Sequence, residues 1–504
     1  MFSVPLFPKQ KEKSPDKTNP SLRSLYNSLD PFSILQHLSF YELYPETSEG
    51  KKAISHVWEL LHQGQGPNPI TLPSLDIQSI ISIITRQPFD PPVKLNEEQL
   101  ATVENISKSL TNRKLKGFEA WSKEEILALP SRDIDLARGL LINQFDTSEN
   151  MRDDVRQYEA SLDLMALQIL VRLPINATPE DKIREINRFI FQEMQFRFPP
   201  HSLYAKDIDL YTFLPSVLDS RQGVCLGVSI LYLCLAQRLD LDLEIITPPG
   251  HIYLRYPGKE QMVNIETTAR GINLPSDTYL GINTRKLEKR TLKEVIGMAF
   301  FNQASVYWEK GDYAATVSLY EKALPYLPGD PLLKMLLGMN YLFVDKKSEG
   351  KKLLEEIRDT TFDYAVSPET IPADYLKGKV DAEGLKTVFL HVDETRASIV
   401  EKQKKLQKIL SKYPSFRAGL LHLAITWIQL GRGREAQEIL EKYHKIDPGD
   451  SVVEYYLAIL CMERMDYNRS WFFLKRSESI TQAREHKPKA LKEIRNHLRR
   501  ICPE

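Results

Sequence analysis

The sequence predicts a mostly α-helical, multidomain chain in which one α+β core carries a small antiparallel sheet. Three observations predict it: apolar residues at helical spacing through the first 150 residues, three short strand-like runs close together between 243 and 266, and a helix–turn–helix pattern that repeats after residue 291. At 504 residues the chain has room for about three domains of roughly 100–200 residues each. The divisions read from it are a Pro-, Lys- and Ser-rich disordered tail (1–20), a helical N-terminal domain (21–150), the α+β core (151–290), helical repeats (291–480) and a basic capping helix (481–504).

Taken in order, the tail is too polar to offset the entropy of ordering it. AISHVWELLHQ, EEQLATVENISKSL and SRDIDLARGLLINQF then place apolar residues on one helical face, with Pro-rich punctuation at QPFDPPVK. His37, His56 and His62 lie on these helices without ligand spacing and read as structural. The core opens with two helices, DVRQYEASLDLMALQILVRL and TPEDKIREINRFIFQEM, the second N-capped by Thr178 with Glu180 and Asp181 in its first turn. A buried helix follows Gly223, and LEIIT (243–247), HIYLRY (251–256) and QMVNIE (261–266) then read as antiparallel strands.

Lys+Arg and Asp+Glu both number 67, so no bulk field attracts nucleic acid or an anionic membrane, and no nucleic-acid partner is expected. The apolar stretch from Val224 to Ala236 is well short of the roughly 20 residues of a membrane helix. The N-terminus lacks the apolar run of a secretory signal, and Cys225, Cys234, Cys461 and Cys502 show no CxxC pairing; a cytoplasmic protein with free thiols is expected. Asn105, Asn176 and Asn468 open chance glycosylation patterns that such a protein would not use. No metal-ligand spacing and no cofactor motif stands out: GRGREA (431–436) imitates part of a dinucleotide fingerprint but joins two helices rather than following a strand.

The C-terminal pattern is explicit. KGDYAATVSLYEKALPYLPGD (310–330) overlays LGRGREAQEILEKYHKIDPGD (430–450) without gaps, Gly311 on Gly431 and Pro-Gly-Asp on Pro-Gly-Asp, and Pro448 lies 34 residues after Pro414. These copies resemble tetratricopeptide repeats, which implies helical hairpins that bind a protein or peptide partner. The pattern is weak over 331–410, where DYAVSPETIPADYLKGK interrupts it. AREHKPKALKEIRNHLRR reads as a solvated helix capping the stack rather than as an RNA or membrane contact.

Candidate chemistry gathers in the core. Cys225 opens the apolar helix, where unpaired first-turn N–H groups favour a thiolate; taken alone, a Cys there also fits a small core residue, as Cys234 does in mid-helix. If Gly258-Lys259 is a two-residue type II′ turn, His251 and Glu266 face each other across the hairpin. Period-two alternation puts both on one face with Tyr253 and Asn264, and Ile252, Leu254 and Ile265 on the other, toward the core. A carboxylate opposite an imidazole fixes its tautomer and stabilises the imidazolium. Cysteine, histidine and carboxylate so placed form a thiol version of the nucleophile, base and orienter arrangement. Gln222 and Asp219, just upstream of Cys225, are candidates to line the oxyanion pocket, with Tyr253 and Asn264 as further pocket candidates.

RQGVCLGVSILYLCLAQRLDLDLEI, PPGHIYLRY and VNIETT together resemble the core of the transglutaminase-like superfamily, and more closely a bacterial branch that joins this core to C-terminal tetratricopeptide repeats. The resemblance implies Cys225 as nucleophile, His251 as base and Glu266 as the acidic residue, where the superfamily usually has Asp. It further implies acyl transfer from an amide or ester, by an amidase, protease or transferase. Some members of the branch have lost the Cys or the His, so a scaffold with a vestigial core stands as the alternative; this chain retains both residues.

Overall fold

Helices dominate because most of the chain carries apolar residues at a period near 3.6, and among the described residues the strands gather in one sheet built around runs of period two. The computed structural model describes residues 20–61, 79–82, 88, 90, 93–199, 209–258, 261–393 and 395–503. The expected tail, apart from Pro20, lies outside these residues, as do half of QPFDPPVK and His62. Among the described residues, no helix is long and apolar enough to cross a membrane.

In the N-terminal region, short α- and 3₁₀-helices between Pro20–Asn27 and Leu136–Gln144 pack onto the long helix Met151–Leu170. Their packing is not separate from the core's: one hydrophobic cluster runs from Ile34 to Leu337. Two buried ion pairs tie the elements together. Arg138 forks onto Glu159 through two bonds of 2.7 Å, and Arg238 reaches Asp163 at 2.8 Å, with Arg113 on the same carboxylate. The second entry helix, Pro179–Asn187, carries the predicted cap as a reciprocal capping box: Asp181 N–H donates to Thr178 Oγ1 (3.1 Å), and Thr178 N–H donates to Asp181 Oδ2 (3.0 Å).

The sheet has four strands, β1 (Glu244–Thr247), β2 (Tyr253–Pro257), β3 (Met262–Ile265) and β4 (Glu288–Arg290), in the order β3-β2-β1-β4 and antiparallel throughout. The first three match the predicted runs. β4 has no counterpart among them, because three charged residues carry no alternation; it is an edge strand recruited by pairing with β1.

The hairpin register corrects the expectation. A two-residue turn would set Leu254 against Val263, whereas Leu254 pairs with Ile265 and Arg255 with Asn264, a shift of two residues. Gly258 does not take the positive φ of a type II′ turn. It sits instead in a longer connection, where a Cβ would meet the Gln261 carbonyl oxygen at 2.4 Å. A shift of two preserves facing, since side chains alternate with period two. Ile252, Leu254 and Ile265 are accordingly buried in the main cluster, and His251 and Glu266 still share the opposite face.

Beyond the sheet the chain continues as antiparallel helical hairpins. Leu292–Glu309 pairs with Tyr313–Ala323, Pro331–Phe343 with Lys347–Glu356, Arg417–Gln429 with Gly433–Ile446, and Ser451–Glu463 with Tyr467–Ala483. The Pro-Gly-Asp motif ends one hairpin and starts the next: Asp330 caps Leu333 N–H (2.9 Å), and Asp450 caps Val452 N–H (2.9 Å). The weak stretch resolves into a hairpin at 331–356, then an irregular segment, two short helices, Ile371–Leu376 and Ala382–Val388, and the long helix Arg396–Lys412. The helix Lys489–Ile501 closes the stack by burying Leu491, Ile494 and Leu498, with Arg495 on Glu478 at 2.7 Å.

Candidate active site

The helix Cys225–Arg238 is buried along almost its whole length, and Cys225, its first residue, is partly exposed where the turns that follow it are sealed up to Gln237. Glycines on either side make this possible. A Cβ at Gly227 would meet the Tyr211 carbonyl oxygen at 2.2 Å, and one at Gly223 would meet Val228 at 2.6 Å, so the chain enters the helix tightly against the preceding segment. Val224 N–H also donates to Tyr211 O (3.2 Å).

His251 lies just before β2 and Glu266 just after β3. His251 Nε2–H donates to Glu266 Oε2 at 2.7 Å, and Cys225 lies near enough to the ring to stabilise its charged form. Burial opposes charge on His251, but the influence of Cys225 and Glu266 outweighs it and raises its pKa to about 10. Burial likewise disfavours the Glu266 carboxylate, yet donation from His251, Thr268 and Tyr279 holds it down at about 2. The imidazolium form is therefore the prevailing one at neutral pH.

Each oxygen of Glu266 has its own task. Oε1 accepts from Thr268 N–H (3.1 Å) and Thr268 Oγ1 (2.6 Å), capping the 3₁₀ turn Thr267–Ala269, while Oε2 takes His251 and the Tyr279 hydroxyl. Tyr279 also stacks on the imidazole, ring centres 5.5 Å apart, and on Tyr253 at 5.0 Å. Burial and the neighbouring carboxylate push its phenol well above the ordinary range. Sequence reasoning missed Tyr279 because it follows Glu266 by 13 residues in a short 3₁₀ turn with no pattern of its own. Thr268 stands inside the VNIETT motif, which by itself assigns it no role.

The four pocket candidates are placed elsewhere. Tyr253 and Asn264 are buried in a polar network: Tyr253 OH and Asn264 Nδ2 both donate to Ser276 Oγ (3.0 and 3.1 Å), and Arg255 Nε donates to Asn264 Oδ1 (3.0 Å). They sit behind the histidine, toward Tyr279, and not along the cleft that Cys225 opens into. Asp219 accepts from Tyr158 OH (2.9 Å), and Gln222 is buried in a bridge to Arg197; neither lines that cleft.

The cleft has about 230 Å³ of free volume. Cys225, Leu226 and the Pro248-Pro249-Gly250-His251 turn form one side, and residues of β4 and the first repeat hairpins form the other. An accessible sulfur, a charged imidazole and an anchored carboxylate at the mouth of such a cleft have the disposition that nucleophilic attack on a carbonyl requires.

Comparison with known proteins adds the family. Residues 156–295 match the family model of the transglutaminase-like superfamily, a span that holds Cys225, His251 and Glu266. No curated protein matches the chain. Among solved structures, MamA is similar at 16% identity over 36% of this chain and 96% of its own, with a TM-score of 0.20. TTC0263, a thermophilic TPR protein in Thermus thermophilus, has 15% identity over 40% of this chain and 96% of its own, also at 0.20. A tetratricopeptide repeat protein from Parabacteroides merdae has 15% identity over 39% and 69%, at 0.22. Such TM-scores are too low to bear on fold or function; the repeats rest on the hairpins themselves. With the superfamily's Gly-x-Cys helix, strand-leading histidine and following acidic residue all inside the matched span, residues 156–295 of this chain are a transglutaminase-like domain.

Proposed function

We propose that the chain is a thiol-dependent acyl-transfer enzyme acting on a protein or peptide that its helical repeats help to recruit. The observation that carries this reading is the convergence of Cys225 and His251 at the mouth of one open cleft, with His251 held by Glu266 at 2.7 Å and its charged form favoured by Cys225 beside it. In it the Cys225 thiolate attacks an amide or ester carbonyl carbon, forming a C–S bond. The oxyanion is held by the Cys225 backbone N–H, which as a first-turn group has no partner within its own helix. His251 then gives its proton to the departing nitrogen or oxygen as the C–N or C–O bond breaks, leaving a thioester. Water or an amine next attacks the thioester, His251 takes up the proton of that acceptor, and the thiolate leaves. Glu266 keeps the ring oriented and offsets its charge throughout.

The test is alkylation by limiting iodoacetamide near neutral pH in a Cys502→Ser background, since Cys502 is also partly exposed while Cys234 and Cys461 are buried. Cys225 reacts faster than N-acetylcysteine, and His251→Ala removes the advantage. A rate no higher than that of N-acetylcysteine, or one indifferent to His251→Ala, would leave the repeats as the functional part, with the core as scaffold.

A further inference from the structure

The interruption in the repeats at 360–370 is anchored to the core. Asp363 holds Lys286 at 2.8 Å, Arg285 N–H donates to Tyr364 O (2.8 Å), Val366 N–H donates to Asn283 O (3.0 Å), and Asn283 Oδ1 accepts from Ser367 N–H (2.7 Å). A bridge between Thr284 and Ala365 lies in the middle of this contact. It delivers the Tyr364 side chain to the cleft in front of Cys225. The first two hairpins also line the cleft, with Met298, Phe301, Leu327 and Leu332 among the apolar residues they contribute. Three of these, Met298, Phe301 and Leu332, are only partly buried, so apolar surface is left open to the cleft.

The charged and polar groups of the same cleft are committed to one another. Arg290 is held by Glu288 (2.8 Å), Asp330 (3.0 Å) and, from outside the cleft, Glu294 (3.2 Å). Asp330 also caps the next helix, and Thr247 accepts from Arg290 Nε at 3.3 Å. Asn302 Nδ2 donates to Thr212 Oγ1 at 2.9 Å. Groups so paired have little left to offer a polar ligand, whereas Met298, Phe301 and Leu332 beside them keep part of their apolar surface exposed.

We infer that this cleft is an acyl subsite shared by the core and the repeat module, taking an apolar side chain on the substrate residue whose carbonyl Cys225 attacks, with Tyr364 as its far wall. The inference rests on Cys225 being the nucleophile. It makes the repeat module part of the specificity machinery, through Met298, Leu332 and Tyr364.

Two alkylating probes test it, iodoacetamide and N-benzyl iodoacetamide, on the full chain in the Cys502→Ser background. The readout is the ratio of their rates divided by the same ratio for N-acetylcysteine, so a general change in thiol reactivity cancels. Filling an apolar subsite is worth about 10-fold or more in such a comparison. We expect a normalised ratio of at least about 10 for the parent chain, falling several-fold in Leu332→Gln and Tyr364→Ala. Met298→Gln serves if either variant fails to fold. A fast iodoacetamide reaction with a normalised ratio near one overturns the subsite alone, as does a high ratio that all folded variants retain. An iodoacetamide rate no higher than that of N-acetylcysteine removes the nucleophile reading and the subsite with it.

Discussion

Replacing Glu266 by glutamine perturbs the site without changing its shape. All four groups that reach this carboxylate are donors: His251 Nε2–H and the Tyr279 hydroxyl on Oε2, the Thr268 N–H and hydroxyl on Oε1. A glutamine amide presents two donors of its own at one end, so either the threonine cap or the histidine loses its acceptor, and the imidazolium loses its counter-charge in both cases. A hydrogen bond to a charged group is worth about 1.5–3 kcal/mol, and a pKa unit about 1.4 kcal/mol. The His251 pKa, about 10 in the intact site, therefore falls in Glu266→Gln by about 1–2 units. The assay is the rate of Cys225 alkylation from pH 5 to 11. A rise near pH 10 is expected in the parent chain as the imidazolium loses its proton. In Glu266→Gln this rise moves down by about 1–2 units. If it stays where it is in the parent chain, the carboxylate is not what holds the histidine charged, and the reasoning fails.

Stability carries the same pairing. The raised His251 pKa contributes stability that is fully present below 6.5 and is lost as pH rises through about 10, and the lowered Glu266 pKa contributes stability present above 4.5 and lost as pH falls through about 2. The Tm gap between the parent chain and His251→Ala is thus widest near pH 5–6 and shrinks by pH 10, which calorimetry across that range measures. Asp163→Asn strands Arg238, wholly buried, together with Arg113, and should lower unfolding free energy by about 3–5 kcal/mol in urea titrations. Met465 takes the left-handed backbone that glycine takes at Gly431, so Met465→Gly should stabilise the chain by about 1 kcal/mol, read as a higher urea midpoint.

The parts legible in the sequence were those governed by local pattern. Thr178 announced its helix because the capping box is made by residues three apart, and β1, β2 and β3 were visible as period-two runs. The hairpins at 292–323 and 417–446 declared themselves through the shared Gly and Pro-Gly-Asp positions. Their neighbours did not, because the same left-handed turn, 34 residues after Gly311 and again after Gly431, is occupied by Asp345 and Met465. There the fold is set by helix packing, and the turn residue bears strain that no local signal reports. β4 and the hairpin register depended on partners and on a loop length, neither of which is encoded nearby. The His251–Glu266 contact survived the wrong register because the error was an even number of residues. Tyr279, by contrast, reaches the site only through the path of the loop from Ile272 to Leu280, and nothing in its own neighbourhood marks it.

The glutamate that departs from the superfamily's usual aspartate has a physical use in this setting. Glu266 lies one residue past the end of β3, where it must both start the Thr267–Ala269 turn and reach back to a histidine that precedes β2. Capping is done by one oxygen at 2.6 and 3.1 Å and the histidine contact by the other at 2.7 Å, so a single carboxylate spans two elements and fixes the angle between them. An aspartate is one methylene shorter, and from the same backbone it would keep the local cap, whose donors lie two residues away, at the expense of the more distant imidazole. The longer arm is then what keeps the cap and the orienter in one side chain, and Tyr279, donating to the oxygen that faces His251, limits the freedom the extra methylene would otherwise bring.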